Sequence, residues 1–417
     1  MAKLALDAAP AVAVPLRFLL TAPCWGMAAG VLPIVDADLL LSRWQPATLA
    51  ATHAFTLGLL GNLLFGSLLQ FLPAAAGVRL RGGARSGLAV YLLLNGGVAL
   101  LTAGLYRMQP ALLTAAACVV AAAFTLLAAM TAPGLLQAQG QRLLRAGLFT
   151  ALIAALLTAA LGVTLALSLS GHLLPSWPLP DLTDTHAAWG IAGWMLLTLG
   201  AVARVVMPMF QGTAVPPAWA QTAWLGFVPA ALLAASTVLL ASGQALPLRV
   251  AVSVAVLAFA ASALWLQWRS PATRNHALRA WWRSGLLGLA AFALLLPLRL
   301  HGDLLAGVVG IGIALPLLAI GMQLEIVAFL GWLDLHRRCG RGLRVPGVHQ
   351  LLPEIDKQRL LCAFLAATPV QLAAVLWPVA HTARAAGLAT FASYALLTFA
   401  FAGLRRRSRR FLARAAA

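Results

Sequence analysis

The chain is poor in charge, and poorest in acidic charge: only 9% of its 417 residues are Lys, Arg, Asp or Glu, and just 10 are Asp or Glu. Soluble domains carry about 25% charged residues, so this scarcity excludes an ordinary water-soluble fold. Cysteine is also scarce. Cys24, Cys118, Cys339 and Cys362 show no CxxC spacing, which leaves neither a structural zinc site nor a disulfide framework. Strict apolar–polar alternation is missing from the long uniform runs Val252–Leu264 and Ala151–Leu169. That absence excludes a transmembrane β-barrel.

What the chain has in quantity is apolar sequence, 62% of all residues. A bilayer core takes about 20 apolar residues per helical crossing, and backbone polar groups cannot be left facing lipid, so the crossings are helices. Breaking the runs at Pro, Gly and charge clusters predicts an all-α, multi-pass membrane protein of about twelve spans. These are 14–34, 47–72, 86–105, 110–131, 146–169, 184–209, 222–241, 248–267, 281–299, 303–333, 359–378 and 385–403, followed by a basic tail, 404–417. The first span is read as a retained helix and not as a cleaved signal.

The net charge of +19 is not spread evenly. With the N-terminus inside, only Arg43, Arg107, Arg249, Arg299 and Arg384 fall on the outer side, leaving 24 of the 29 Lys and Arg residues, Lys3, Arg341 and the tail arginines among them, for the inner side. This is the positive-inside bias. It predicts cytoplasmic N- and C-termini, a bacterial inner-membrane location, and basic loops that touch anionic lipid headgroups in preference to nucleic acid. Trp177, Trp219 and Trp281 fit an interfacial aromatic belt.

An internal repeat is visible. Thr52-His53 starts a glycine-rich run through Gly58, Gly61 and Gly66 to Pro73. Thr185-His186 starts a second, through Gly190, Gly193 and Gly200 to Pro208, and His301 a looser third, with Gly307, Gly310 and Gly312. These histidines open spans 2, 6 and 10, one per four-span group (14–131, 146–267 and 281–403), which predicts three pseudo-symmetric groups with the three imidazoles at one depth.

Polar side chains within a membrane are costly and usually functional. The candidates are His53, His186, Asn62, Gln70, Asn95, Arg204, Gln323, Glu325 and Gln371. Neutral imidazole ligates haem iron and copper. Gly190 and Gly193, at i+4 and i+7 from His186, would leave space on its face for a flat macrocycle. Glu325 is read either as a proton relay or as an ion-pair partner of Arg204. His276, His336 and His349 fall in basic inner loops, and His172 and His381 near outer loops.

The segment from Thr52-His53 through Leu69-Gln70-Phe71-Leu72-Pro73 resembles the second helix of haem-copper oxidase subunit I. The chain is also similar to the NnrS family of haem- and copper-containing membrane proteins, through its length, its span number, the early Arg17-Phe18-Leu19-Leu20 segment and the helix from His186 to Ala203-Arg204. The resemblance implies a haem-copper-oxidase-like fold. It implies His53 as a haem axial ligand, His301 as its partner, His186 as a ligand of a second, copper-type metal, and a role in respiratory electron transfer or nitric oxide handling with a separate electron donor. The departures matter equally. Span 7 has no histidine and span 10 no His-x-His pair, so the complete binuclear site of the oxidases cannot be assembled. A cofactor-free transporter of twelve spans and a degenerate scaffold subunit are the rival expectations.

Overall fold

In the computed structural model, residues 10–270, 274–339 and 343–416 are described; Lys3 and Arg341 lie outside them. Among the described residues the secondary structure is helical, with no strand. Twelve helices are long and apolar enough to cross a membrane: α1 Ala13–Val35, α2 Pro46–Ala76, α3 Gly83–Arg107, α4 Pro110–Gln137, α5 Arg142–Leu169, α6 Leu179–Gln211, α7 Ala218–Ser242, α8 Leu246–Trp268, α9 His276–Leu298, α10 Leu304–Cys339, α11 Glu354–Leu376 and α12 Ala380–Ala415. Each coincides with an expected span to within a few residues, except where α10 and α12 run on. The basic tail continues α12 as helix as far as residue 416, and Arg407 donates to the Leu351 carbonyl and to Asp356.

Nine helices surround three. Neighbouring contacts run α1–α12–α11–α9–α8–α7–α5–α4–α3 and back to α1, while α2, α6 and α10 lie inside. The enclosure is measurable, since the most apolar windows of α2, α6 and α10 are 61%, 61% and 72% buried, against 50% or less for every other span. Lipid tails are as apolar as leucine, so such a bundle is held by close packing and not by the removal of apolar surface from water. Small residues set the approach distances. A Cβ on Gly30 would fall 2.7 Å from the Phe391 backbone nitrogen, and one on Gly387 2.6 Å from the Gly30 carbonyl oxygen. These two glycines let α1 and α12 meet backbone to backbone.

The three inner helices share a second feature. Each is interrupted by a π-helical stretch, Ala54–Gly61 in α2, Trp189–Leu196 in α6 and Val308–Ala314 in α10. A π turn carries an extra residue between hydrogen-bonded partners and concentrates at functional sites. Each stretch holds two of the glycines of the sequence repeat: Gly58 and Gly61, Gly190 and Gly193, Gly310 and Gly312.

Trp281, assigned by sequence to the interfacial belt, is instead fully buried, and its indole N–H donates to the Lys357 carbonyl at 3.0 Å. Trp177 and Trp219 are exposed, as a belt requires.

Candidate functional site

His53 and His186 do not open their helices. Each is the eighth residue of its helix, counted from Pro46 and from Leu179, about 10 Å along the axis at 1.5 Å per residue. The flanking threonines return their hydroxyl protons to their own helices, Thr52 to the Thr48 carbonyl and Thr185 to the Asp181 carbonyl. Equal register on two parallel inner helices brings the imidazoles together. Their ring centroids are 6.3 Å apart, with planes inclined by 25°.

The hydrogen bonds of the two rings fix their tautomers. His53 Nδ1 lies 2.8 Å from the Leu49 carbonyl oxygen, and His186 Nδ1 lies 3.0 Å from the Thr158 carbonyl oxygen. A carbonyl oxygen only accepts, so each Nδ1 carries a proton, and in the neutral ring each Nε2 keeps its lone pair. Anchoring one nitrogen to a carbonyl is how proteins orient an imidazole whose other nitrogen binds a metal. Gly162 on α5 makes room for the His186 ring, because a Cβ there would stand 3.0 Å from His186 Cε1.

The third imidazole is elsewhere. His301 is exposed, in the 3-10 turn Leu300–Asp303 that precedes α10, so the expected pairing of His53 with His301 gives way to His53 with His186. The turn explains the change. Arg299, His301 and Asp303 all have left-handed backbones, with φ of 55°, 49° and 74°, a costly conformation for residues with a Cβ. The turn delivers Asp303, two residues past the histidine, into the bundle. Asp303 accepts from Arg249 Nη1 at 2.5 Å and Nη2 at 3.0 Å, and from Arg43 at 3.2 Å. Asp184, two residues before His186, completes the group through Arg43 at 2.7 Å and Arg249 at 3.4 Å. Two arginines and two aspartates thus tie together the chain before α2, the second turn of α6, the first turn of α8, and the residue before α10. Sequence reading treated Arg43 and Arg249 only as loop charges and did not single out Asp184 or Asp303. The legible signal was their nearness to the histidines, two residues away in both cases.

Below this quartet lies a cavity of about 310 Å³. Its wall is mostly aliphatic, with contributions from α1, α2, α6 and α8 to α12. Thr52 and Ala187, the sequence neighbours of His53 and His186, face it, so the histidine pair backs onto its side.

Glu325 does not meet Arg204. It pairs with Lys357 of α11 at 2.5 Å, both side chains being 6–7% exposed, whereas Arg204 donates to the Pro216 carbonyl and to Gln221 of the neighbouring α7. Asn62 and Asn95 exchange hydrogen bonds of 3.0 and 3.1 Å, and Trp25 donates to Asn95. Gln323 donates to the Leu19 carbonyl, and Gln371 to Thr390. Gln70 is buried without a hydrogen-bond partner among the described residues. Gly190 and Gly193 leave no open face for a macrocycle, because Cβ atoms there would meet Thr158 at 3.3 Å and Trp189 at 2.9 Å.

Among the described residues, no group of three or more His, Cys, Asp or Glu is arranged to hold a metal ion. A comparison with protein-family models finds no match, and a comparison with curated proteins finds none either.

Proposed function

We propose that this multi-pass membrane protein holds a redox metal, haem iron or a copper ion, between His53 and His186, and serves electron transfer or nitric oxide handling. The observation that carries this reading is the pair of facing imidazoles with both Nδ1 atoms committed to carbonyls. Each ring keeps an Nε2 lone pair that it could give to an iron or copper ion held at the pair. Two donors are enough for either metal. Haem brings four nitrogens of its own, and imidazole is a good donor for copper.

A bound iron or copper ion would supply one-electron chemistry. The chain itself orients the two rings, through the Leu49 and Thr158 carbonyls, and surrounds them with apolar helix. No histidine on α7 adds the third donor of the oxidase copper centre, so reduction of dioxygen at a binuclear site is not part of the proposal. The positive-inside count supports an outward-facing histidine end and cytoplasmic termini, and the proposal adds a bacterial inner membrane as the location and an electron donor that would approach the quartet face.

The test is an absorption spectrum with metal analysis on protein purified from cells replete in haem and copper. One iron with a Soret band, or one copper without it, is expected per chain. Either signal should be lost in His53→Ala and in His186→Ala, and unchanged in His301→Ala. Metal-free protein, or a signal indifferent to His53 and His186, would overturn the proposal.

A further inference from the structure

The cavity beneath the ion quartet is bordered by two glycines whose role differs from that of most others in the inner helices. Gly58, Gly66, Gly200 and Gly310 each sit where an added Cβ would run into a neighbouring helix at 2.6–2.8 Å, so their smallness serves packing. At Gly307 an added Cβ would meet nothing within 4 Å, and at Gly312 only Val308 Cγ1 at 3.8 Å. Both line the cavity. Their missing side chains enlarge an empty space and bring no helices closer.

Nothing in that wall calls for a charged guest. The arginines and aspartates of the quartet balance, and each of the four is bound within it. The hydroxyl protons of Thr52 and Thr183 are spent on the Thr48 and Leu179 carbonyls, that of Thr48 on carbonyls of the preceding turn, and the Gln371 amide donates to Thr390. What remains is aliphatic surface from Leu248, Val252, Val308 and Ile311, with Phe55 and Phe292. The volume falls at the lower end of small-molecule pockets, about 300–1,000 Å³. An apolar space of this size, if left empty, forfeits the contacts of its whole lining, and two positions on α10 that could fill it carry no side chain.

We infer that the cavity is a binding site for one neutral, apolar molecule taken up from the membrane, a single lipophilic ring or a short length of acyl chain, and that Gly307 and Gly312 hold it open. The inference is independent of any metal at the histidine pair.

The test uses the full chain purified in detergent and titrated with the fluorescent apolar probe 1-aminoanthracene, with an organic extract of the same preparation analysed for co-purified lipids and ring compounds. Wild type should show a saturable component of one probe per chain, or one retained molecule in the extract. Gly307→Leu/Gly312→Leu should remove it, weakening the probe at least tenfold, with a melting temperature no lower than wild type. Gly307→Ala/Gly312→Ala, which fills less, should fall between and carries the test if the leucine variant does not fold. An acyl lipid in the wild-type extract alone identifies the guest as lipid, and a ring compound identifies the other source. Equal probe binding and equal extracts in wild type and the glycine variants would overturn the inference.

Discussion

Removing Arg249 perturbs a place where four segments of the chain are tied by charge. Its guanidinium is 8% exposed and grips Asp303, 11% exposed, through two hydrogen bonds, while also reaching Asp184. Arg249→Met leaves two carboxylates sharing Arg43, which is 25% exposed and 3.2 Å from Asp303. Breaking a buried pair from one side costs about 3–5 kcal/mol, because a charge is left without its partner. The lower end, about 3 kcal/mol, is expected here, since Arg43 retains part of the compensation. Asp303→Leu should cost about the same, as it leaves two cations on Asp184. The double variant keeps one balanced pair, Arg43 with Asp184 at 2.7 Å. It should lose about 2–3 kcal/mol less than the sum of the single changes, the size of coupling seen between directly bonded residues. The assay is reversible unfolding in mixed micelles, followed by tryptophan fluorescence. Additive losses, or an Arg249→Met loss below about 0.5 kcal/mol, the level of an ordinary surface substitution, would refute the reasoning. The pH arm follows from Asp303. Burial pushes its carboxyl up, but the hydrogen bonds of Arg249 and the charges of Arg249, Arg43 and Arg299 outweigh this and hold it below its ordinary 3.8. A depressed carboxylate stabilises the fold above its unfolded value and loses that contribution as pH falls through the folded one. The quartet should therefore be intact from neutrality down to about pH 4 and fail only below it.

Two further outcomes are expected. Glu325→Gln strands the Lys357 ammonium, 7% exposed, inside the bundle and should cost about 3 kcal/mol in the same assay, whereas Glu325→Leu/Lys357→Met should recover most of that loss. Gly30→Ala should lower the melting temperature and Gly307→Ala should not, because the first Cβ meets backbone at 2.7 Å and the second meets open space; the two melts, measured side by side, check the distinction.

Span number and span position were readable from the chain because the bilayer imposes a local rule. A crossing needs a continuous apolar length, and each of the twelve satisfies it within its own residues. The special standing of α2, α6 and α10 was readable in part, through the repeated histidines and glycines at matching registers. The partners were not. Glu325 and Arg204 both looked like lone charges near one end, and which cation meets Glu325 depends on α11 standing beside α10 there, with Arg204 turned towards α7. His301 resembled its two counterparts in sequence, yet a left-handed turn at 299–303 leaves it exposed and sends Asp303 inward. Glycines looked alike along the chain, and only their neighbours divide those that admit another helix from those that keep a cavity open. Hydrophobic length and repeat are properties of a segment, so the sequence alone determined the helices. Pairing, tautomer and empty volume are relations between segments, so the tertiary structure alone decided the site.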